Sequence, residues 1–138
     1  ETKDLAGVDQ LHTGGAKATI ELINRTGLVP DAEVLDAGCG TGGSSRLLAE
    51  KFKARVTGID LSWQFIRTAK FLTRCTKLED RVCFHQGSVL CLPFEDQSFD
   101  AVLCQHMLMN IQDKHTAIKE FYRVLKPGGK LIIHEITR

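Results

Sequence analysis

This chain has almost no net charge: 18 Lys and Arg against 17 Asp and Glu leave +1 over 138 residues. The basic residues are spread along the sequence, so neither nucleic acid nor an anionic membrane surface is implied as a partner. No apolar run approaches the roughly 20 residues that span a bilayer. The first residues, ETKDLAGVDQ, have no basic stretch followed by an apolar one, so no signal peptide is read. CxxC spacing is missing too. The five cysteines (Cys39, Cys75, Cys83, Cys91, Cys104) are odd in number, and several sit in apolar strand patterns. They read as small packing residues in a reducing cytoplasm rather than as metal ligands or disulfides. Internal repeats, low-complexity tracts and linkers are also lacking, which fits one domain of ordinary composition, 43% hydrophobic and 25% charged.

What is present concentrates in Val34–Gly43, VLDAGCGTGG. Val34 and Leu35 are buried-strand residues, and Asp36 sits where the strand must end. Gly38, Gly40 and Gly42 remove the side chains that would keep the backbone from a ligand. Ser44 and Ser45 are expected to open a helix whose first N–H groups point back at the same place. A strand, a bare loop and a helix start make a nucleotide-type site.

The rest of the chain alternates in the same way. Helical spacing is expected over 15–27, closed by Gly27, then again over 43–53, from a Ser62 cap through Leu72, and over 113–125. Strands are expected at 34–37, 55–60, 81–86, 99–104 and 130–136, the last after a Pro127-Gly128-Gly129 turn. Such alternation predicts a parallel sheet covered on both faces. Its ligands sit beyond the carboxyl ends of the strands, so Asp36, Asp60, Ser88 and Gln105-His106 should line one crevice.

Two ligand classes fit the loop. Gly38, Gly40 and Gly43 satisfy the GxGxxG of dinucleotide sites, and Asp60, 22 positions after Gly38, suits the ribose of NAD or of an adenosyl cofactor. Three further features favour S-adenosyl-L-methionine. Asp36 precedes the loop, where its charge opposes a pyrophosphate but suits an ammonium and a sulfonium. LPFEDQSFDAVLC (Leu92–Cys104) sets a tight turn before a strand, and VLKPGGKLII (Val124–Ile133) runs from helix end through turn to strand.

Together these segments resemble the class I S-adenosylmethionine-dependent methyltransferases over about residues 9–138. The lead-in DQLHTGGAKATIEL (Asp9–Leu22) is similar to that of the small-molecule sarcosine and dimethylglycine type. The resemblance implies an α/β, Rossmann-like three-layer sandwich with a mostly parallel sheet. It divides the chain into an N-terminal lid and helix segment, 1–30, and a cofactor-binding domain, 31–138. Asp36 and the backbone of Gly38, Cys39, Gly40 and Gly42 would hold the methionine end. Asp60 would accept from both ribose hydroxyls, Leu61 would press on adenine, and Ser88 with Val89 would meet its edge. The family often has Asp where Ser88 stands, and the shorter neutral acceptor should bind more weakly.

Methyl transfer is an in-line displacement in which positioning supplies roughly 7–11 kcal/mol of the barrier, so no catalytic dyad is required. His106 is the candidate base or acceptor ligand, Gln105 a polar wall of the site, and His12 a second candidate from the lead-in. His85, His115 and His134 are expected to be structural or solvated, Met107 and Met109 core fill, and Trp63 either an adenine shield or surface packing. The family's later helix and antiparallel hairpin are not seen, so the fifth strand (Leu131, Ile132, Ile133, Ile136) is expected to expose an apolar ribbon. That edge is expected to pair with another chain such as a second copy, or else the domain is expected to be truncated or naturally minimal. The leading function is methyl transfer to a small-molecule acceptor. The alternatives are a non-catalytic or partner-dependent cofactor-binding module and an NAD-dependent oxidoreductase domain.

Overall fold

The computed structural model describes residues 15–135. His12 and the rest of 1–14, like 136–138, lie outside the described residues. The elements run α1 (Gly15–Asn24), β1 (Glu33–Ala37), α2 (Gly43–Phe52), β2 (Arg55–Asp60), α3 (Trp63–Cys75), β3 (Val82–Gln86), β4 (Phe99–Gln105), a 3-10 turn (Leu108–Asn110), α4 (Lys114–Val124) and β5 (Leu125–His134). All pairings are parallel, in the order β3-β2-β1-β4-β5. The chain steps outward from β1 to β3, then returns to the other side of β1 for β4 and β5. The switch therefore falls between β1 and β4, and a crevice opens there beyond their carboxyl ends.

Alternation along the strands makes two cores, one on each face. Val34, Val56, Phe84, Leu103 and Ile132 pack with Ile23 of α1, Leu48 of α2 and Ile66 of α3. Leu35, Ile59, Val102 and Cys104 face the other way, against Ala117, Phe121 and Val124 of α4. Each fully buried large side chain, such as Phe121 or Leu35, contributes about 1.5–3 kcal/mol relative to exposure. The helix spacings match the cores: Ile66, Ala69 and Thr73 are the buried residues of α3, and Ala117, Phe121 and Val124 those of α4. Ser62 Oγ accepts from Phe65 N at 3.2 Å, and Asp113 Oδ1 from Thr116 N at 3.0 Å, capping α3 and α4. The turn before β4 is fixed from α4. Glu120 accepts from Leu92 N at 2.7 Å, and Arg123 donates to Leu92 O, Phe94 O and Asp96.

Four expectations need correction. Helix α1 ends at Asn24, not Gly27, because Thr26 turns back on Ile23 O through both its N–H and its hydroxyl. Ser44 and Ser45 do not cap α2. Gly42 does so in a left-handed conformation without a side-chain bond. Strand β5 begins at Leu125 rather than Lys130: Leu125 lies opposite Phe99 and Lys130 opposite Ala101, so Pro127-Gly128-Gly129 is a bulge inside the ladder. The apolar ribbon is also divided, since Ile132 is buried on one face, Leu131 packs partly on the other, and Ile133 is exposed.

Candidate functional site

The glycine loop folds back on β2, with Gly38 N and Cys39 N both donating to Ile59 O, at 2.9 and 3.0 Å. Gly38, at φ 75, leaves room for a neighbour: a Cβ there would lie 2.6 Å from Met107 Sδ. Gly40, at φ 55, has nothing within 4 Å of that position, so the loop's bare flank faces open space.

Two carboxylates frame that space. Asp60, ending β2, accepts from Gly40 N through Oδ2 and from Ser62 N through Oδ1, each at 2.9 Å. Both oxygens are thereby aimed, and each keeps a second lone pair. Asp36 is buried beneath the loop, where its Oδ2 accepts from Ser45 Oγ at 2.6 Å. Burial pushes its carboxyl up to about 6; the Ser45 bond opposes this and the nearby Asp60 adds to it. Ser44 Oγ donates to Gln105 Oε1 at 2.7 Å, and Gln105 Nε2 donates to Thr19 Oγ1 at 3.1 Å. Gln105 thus ties α1, α2 and β4 together, as well as lining the site.

Two adjoining cavities result. One, of about 290 Å³, is bounded by Asp36, the glycine loop, Phe65, Gln105 and His106. The other, of about 310 Å³, is bounded by Ile59, Leu61, Ser88, Val89 and Leu90. Gly38, Asp60, Met107 and Asn110 border both. Asp36, Gly38, Cys39, Gly40, Asp60, Leu61, Ser88, Val89, Gln105 and His106 therefore all come to this crevice. Gly42 does not line either cavity; it starts α2, and a Cβ there would strike Phe84. Leu61 is largely exposed, at 71%, on the rim, where its carbonyl is held by Gln86. Ser88 Oγ accepts from Leu90 N at 3.1 Å. Burial drives the Cys39 thiol far above its ordinary range, which makes it inert.

The corner around His106 is differently built. His106 adopts φ 51, and its ring lies 4.7 Å from that of His134. Burial first, then His134, holds its imidazole below the usual value, while Glu135 opposes them. Met107 is not simple core fill, since it borders both cavities, and Met109 is exposed. Trp63 is half exposed and borders neither cavity. Among the described residues, no group of His, Cys, Asp and Glu could hold a metal ion. Sequence reasoning missed Asn110, Phe65 and Glu135. Asn110 stands five residues beyond β4, past the point where strand-end logic looks.

A parallel sheet with this switch point, bare loop and strand-end acid defines a nucleotide-type cofactor domain. The comparisons narrow it. A family model described as a methyltransferase domain matches residues 35–133, and the chain belongs to that family. It is 39% identical over 126 residues to phosphoethanolamine N-methyltransferase 1 of Arabidopsis thaliana, covering 91% of this chain but 25% of that protein. Among solved structures, it is similar to Haemonchus contortus phosphoethanolamine N-methyltransferase 2 in complex with S-adenosyl-L-methionine. The TM-score is 0.87 and the identity 30%, over 96% of this chain and 31% of that one. A Galdieria sulphuraria protein named for sarcosine and dimethylglycine methylation superposes with TM-score 0.83 and 28% identity, over 85% and 44%. The chain spans about a quarter of the length of the plant relative.

Proposed function

We propose that this domain binds S-adenosyl-L-methionine and directs methyl transfer to a small-molecule acceptor. The observation that carries this reading is the paired cavity with Asp60 at its seam, both oxygens oriented by backbone N–H groups and each with a lone pair to spare. The residues fit such a cofactor. Asp36 would balance the ammonium, the loop at Gly38–Gly40 and the first turn of α2 would hold the methionine end, and Asp60 would take the ribose hydroxyls. Leu61, Ser88 and Val89 would enclose adenine. When bound, the cofactor supplies a methyl group on a sulfonium. The protein's part is to hold that methyl group toward Gln105, His106 and Asn110, to exclude water there, and to receive a proton on His106. With its basicity lowered by burial, His106 is neutral at pH 7 and able to accept one.

Calorimetric titration with S-adenosylmethionine, S-adenosylhomocysteine and NAD tests the cofactor assignment: binding of the first two without NAD is expected, and NAD binding alone overturns it. Formation of S-adenosylhomocysteine across a panel of amine and hydroxyl acceptors tests the reaction. Cofactor binding without turnover on any of them would favour the partner-dependent module. His12 and the 1–30 segment belong to the same reading as a lid over the acceptor. Its test is S-adenosylhomocysteine release, which should quicken when residues 1–12 are deleted.

The cytoplasm is the compartment proposed. The five cysteines are free, and no described helix is long and apolar enough to cross a membrane. Nucleic acid is not proposed as a partner. A homodimer through β5 is, because that strand ends the sheet with Ile133 exposed. A monomer by light scattering at high concentration would exclude it.

A further inference from the structure

The residues at the end of β5 reach back into the cavity loop. His134 O accepts from His106 N at 2.8 Å, and Glu135 Oε1 accepts from Met107 N and Leu108 N at 3.1 and 2.9 Å. Three consecutive backbone N–H groups of the loop are therefore held by two consecutive residues. The hold has a purpose, because His106 sits at φ 51, a conformation that costs a non-glycine residue about 1–3 kcal/mol. It also presses Met107 toward Gly38, where the two cavities meet. Glu135 has a second oxygen, Oε2, which is buried and makes no hydrogen bond among the described residues. A buried carboxylate oxygen left in that state is costly, and proteins keep one where a donor or a positive charge arrives during function.

We propose that Glu135 is a positioning residue for the methyl-transfer corner: Oε1 clamps Met107 and Leu108, and Oε2 belongs to the counter-charge for a His106 imidazolium. This rests on the reading of His106 as the base. As the acceptor loses its proton to a His106 ring nitrogen, the electron pair stays on the acceptor atom, which would bond to the methyl carbon as the methyl–sulfur bond breaks and that bond's pair leaves on the sulfur of S-adenosylhomocysteine. The groups facing His106 fit these roles. His134, from β5, disfavours positive charge on the ring, and Glu135 is the group that favours it. The neighbouring Cys104 thiol of β4 is pushed up to about 12 by burial, then by Glu135 and Asp36, so it stays protonated and supplies no competing charge.

The test uses the full chain, NMR titration of the His106 ring, and calorimetry with S-adenosylhomocysteine. Glu135→Gln keeps a carbonyl acceptor for the two N–H groups but loses the charge. The His106 midpoint should fall by about 1 pH unit, with cofactor affinity within about twofold of the original. Glu135→Ala loses the clamp as well; its two bonds hold the cavity loop and not the ligand, so only part of their loss reaches binding and affinity should fall about tenfold. An unchanged His106 midpoint in Glu135→Gln overturns the counter-charge. Unchanged affinity in Glu135→Ala overturns the clamp. If the midpoint shifts but His106→Ala turns over acceptors normally, the role of His106 as base fails while its coupling to Glu135 stands.

Discussion

The two sides of the crevice are held in different ways. On the β1–β2 side the two acids that line the crevice are fixed by partners no more than 20 positions away: Asp60 by Ser62 N, two residues on, and by Gly40 N, 20 residues back, and Asp36 by Ser45, nine residues on. On the β4–β5 side the loop from His106 to Leu108 is fixed by His134 and Glu135, about thirty positions away in the chain, and His106 holds a left-handed backbone. On the proposed reading, the first side is a preset receptor for the cofactor. The second depends on the end of β5 as well as on its own turn, in which Asn110 N donates to Met107 O and Ile111 N to Leu108 O, so it can vary without disturbing the first. Family members can share a cofactor site and diverge in what they methylate if the determinants are divided in this way.

The division breaks most visibly at Asp60. Asp60→Ala removes two oriented acceptors and frees Gly40 N. Charge-assisted bonds contribute about 1.5–3 kcal/mol each, so S-adenosylmethionine affinity should drop roughly 1,000-fold by calorimetry. On the opposite side, His106→Ala should leave that affinity within about threefold but cut turnover roughly 100-fold, the lower end for a general base. If His106→Ala weakens cofactor binding more than Asp60→Ala, the two sides are not separate and the assignment is reversed.

Asp36 sharpens the comparison through pH. Its carboxyl titrates at about 6 in the fold against 3.8 as the ordinary value. The fold therefore binds this proton more tightly than the unfolded chain does. That contribution to stability is complete below pH 3.8 and is lost as pH rises through 6. At pH 8 the ionised group costs the unliganded protein about 1–3 kcal/mol. Asp36→Asn should recover that amount in urea unfolding at pH 8 and little of it at pH 4, while lowering cofactor affinity about 10- to 30-fold at pH 8. Equal stability of the two proteins at both pH values would show that Asp36 carries no burial cost.

The side that could be read from sequence is the one braced at shorter range along the chain. Asp36 and Asp60 are legible because the last one or two residues of a strand are where a parallel sheet presents groups to a ligand, and the glycine spacing marks the loop between them. Five parallel strands followed from the alternation of periods, although their order about β1 is not written in that alternation. Pro127-Gly128-Gly129 looked like a turn because those residues favour turns, yet β4 pairs with the chain on both sides of them and makes them a bulge. Ser44 and Ser45 looked like caps, but at the second and third positions of α2 their hydroxyls reach inward to Gln105 and Asp36. Glu135 could not be found at all, since its role depends on a strand end meeting a loop 27 residues earlier.

The smallest expected effect lies at Ser88, and it asks whether the braced side has room to improve. Ser88 borders the second cavity beside Val89, and its hydroxyl oxygen is occupied by Leu90 N at 3.1 Å. An aspartate in its place could keep that backbone bond with one oxygen and offer the other to the adenine amino group as a charged acceptor. A single exposed bond of this kind is worth about 0.5–1 kcal/mol, so Ser88→Asp should tighten S-adenosylhomocysteine binding about two- to fivefold. Adenosine alone should show the same gain and methionine alone none, because the added contact lies wholly at the adenine end. A loss of affinity would mean that Leu90 N takes the whole carboxylate and that the base is recognised through the apolar walls, Leu61 and Val89, with no polar contact from position 88.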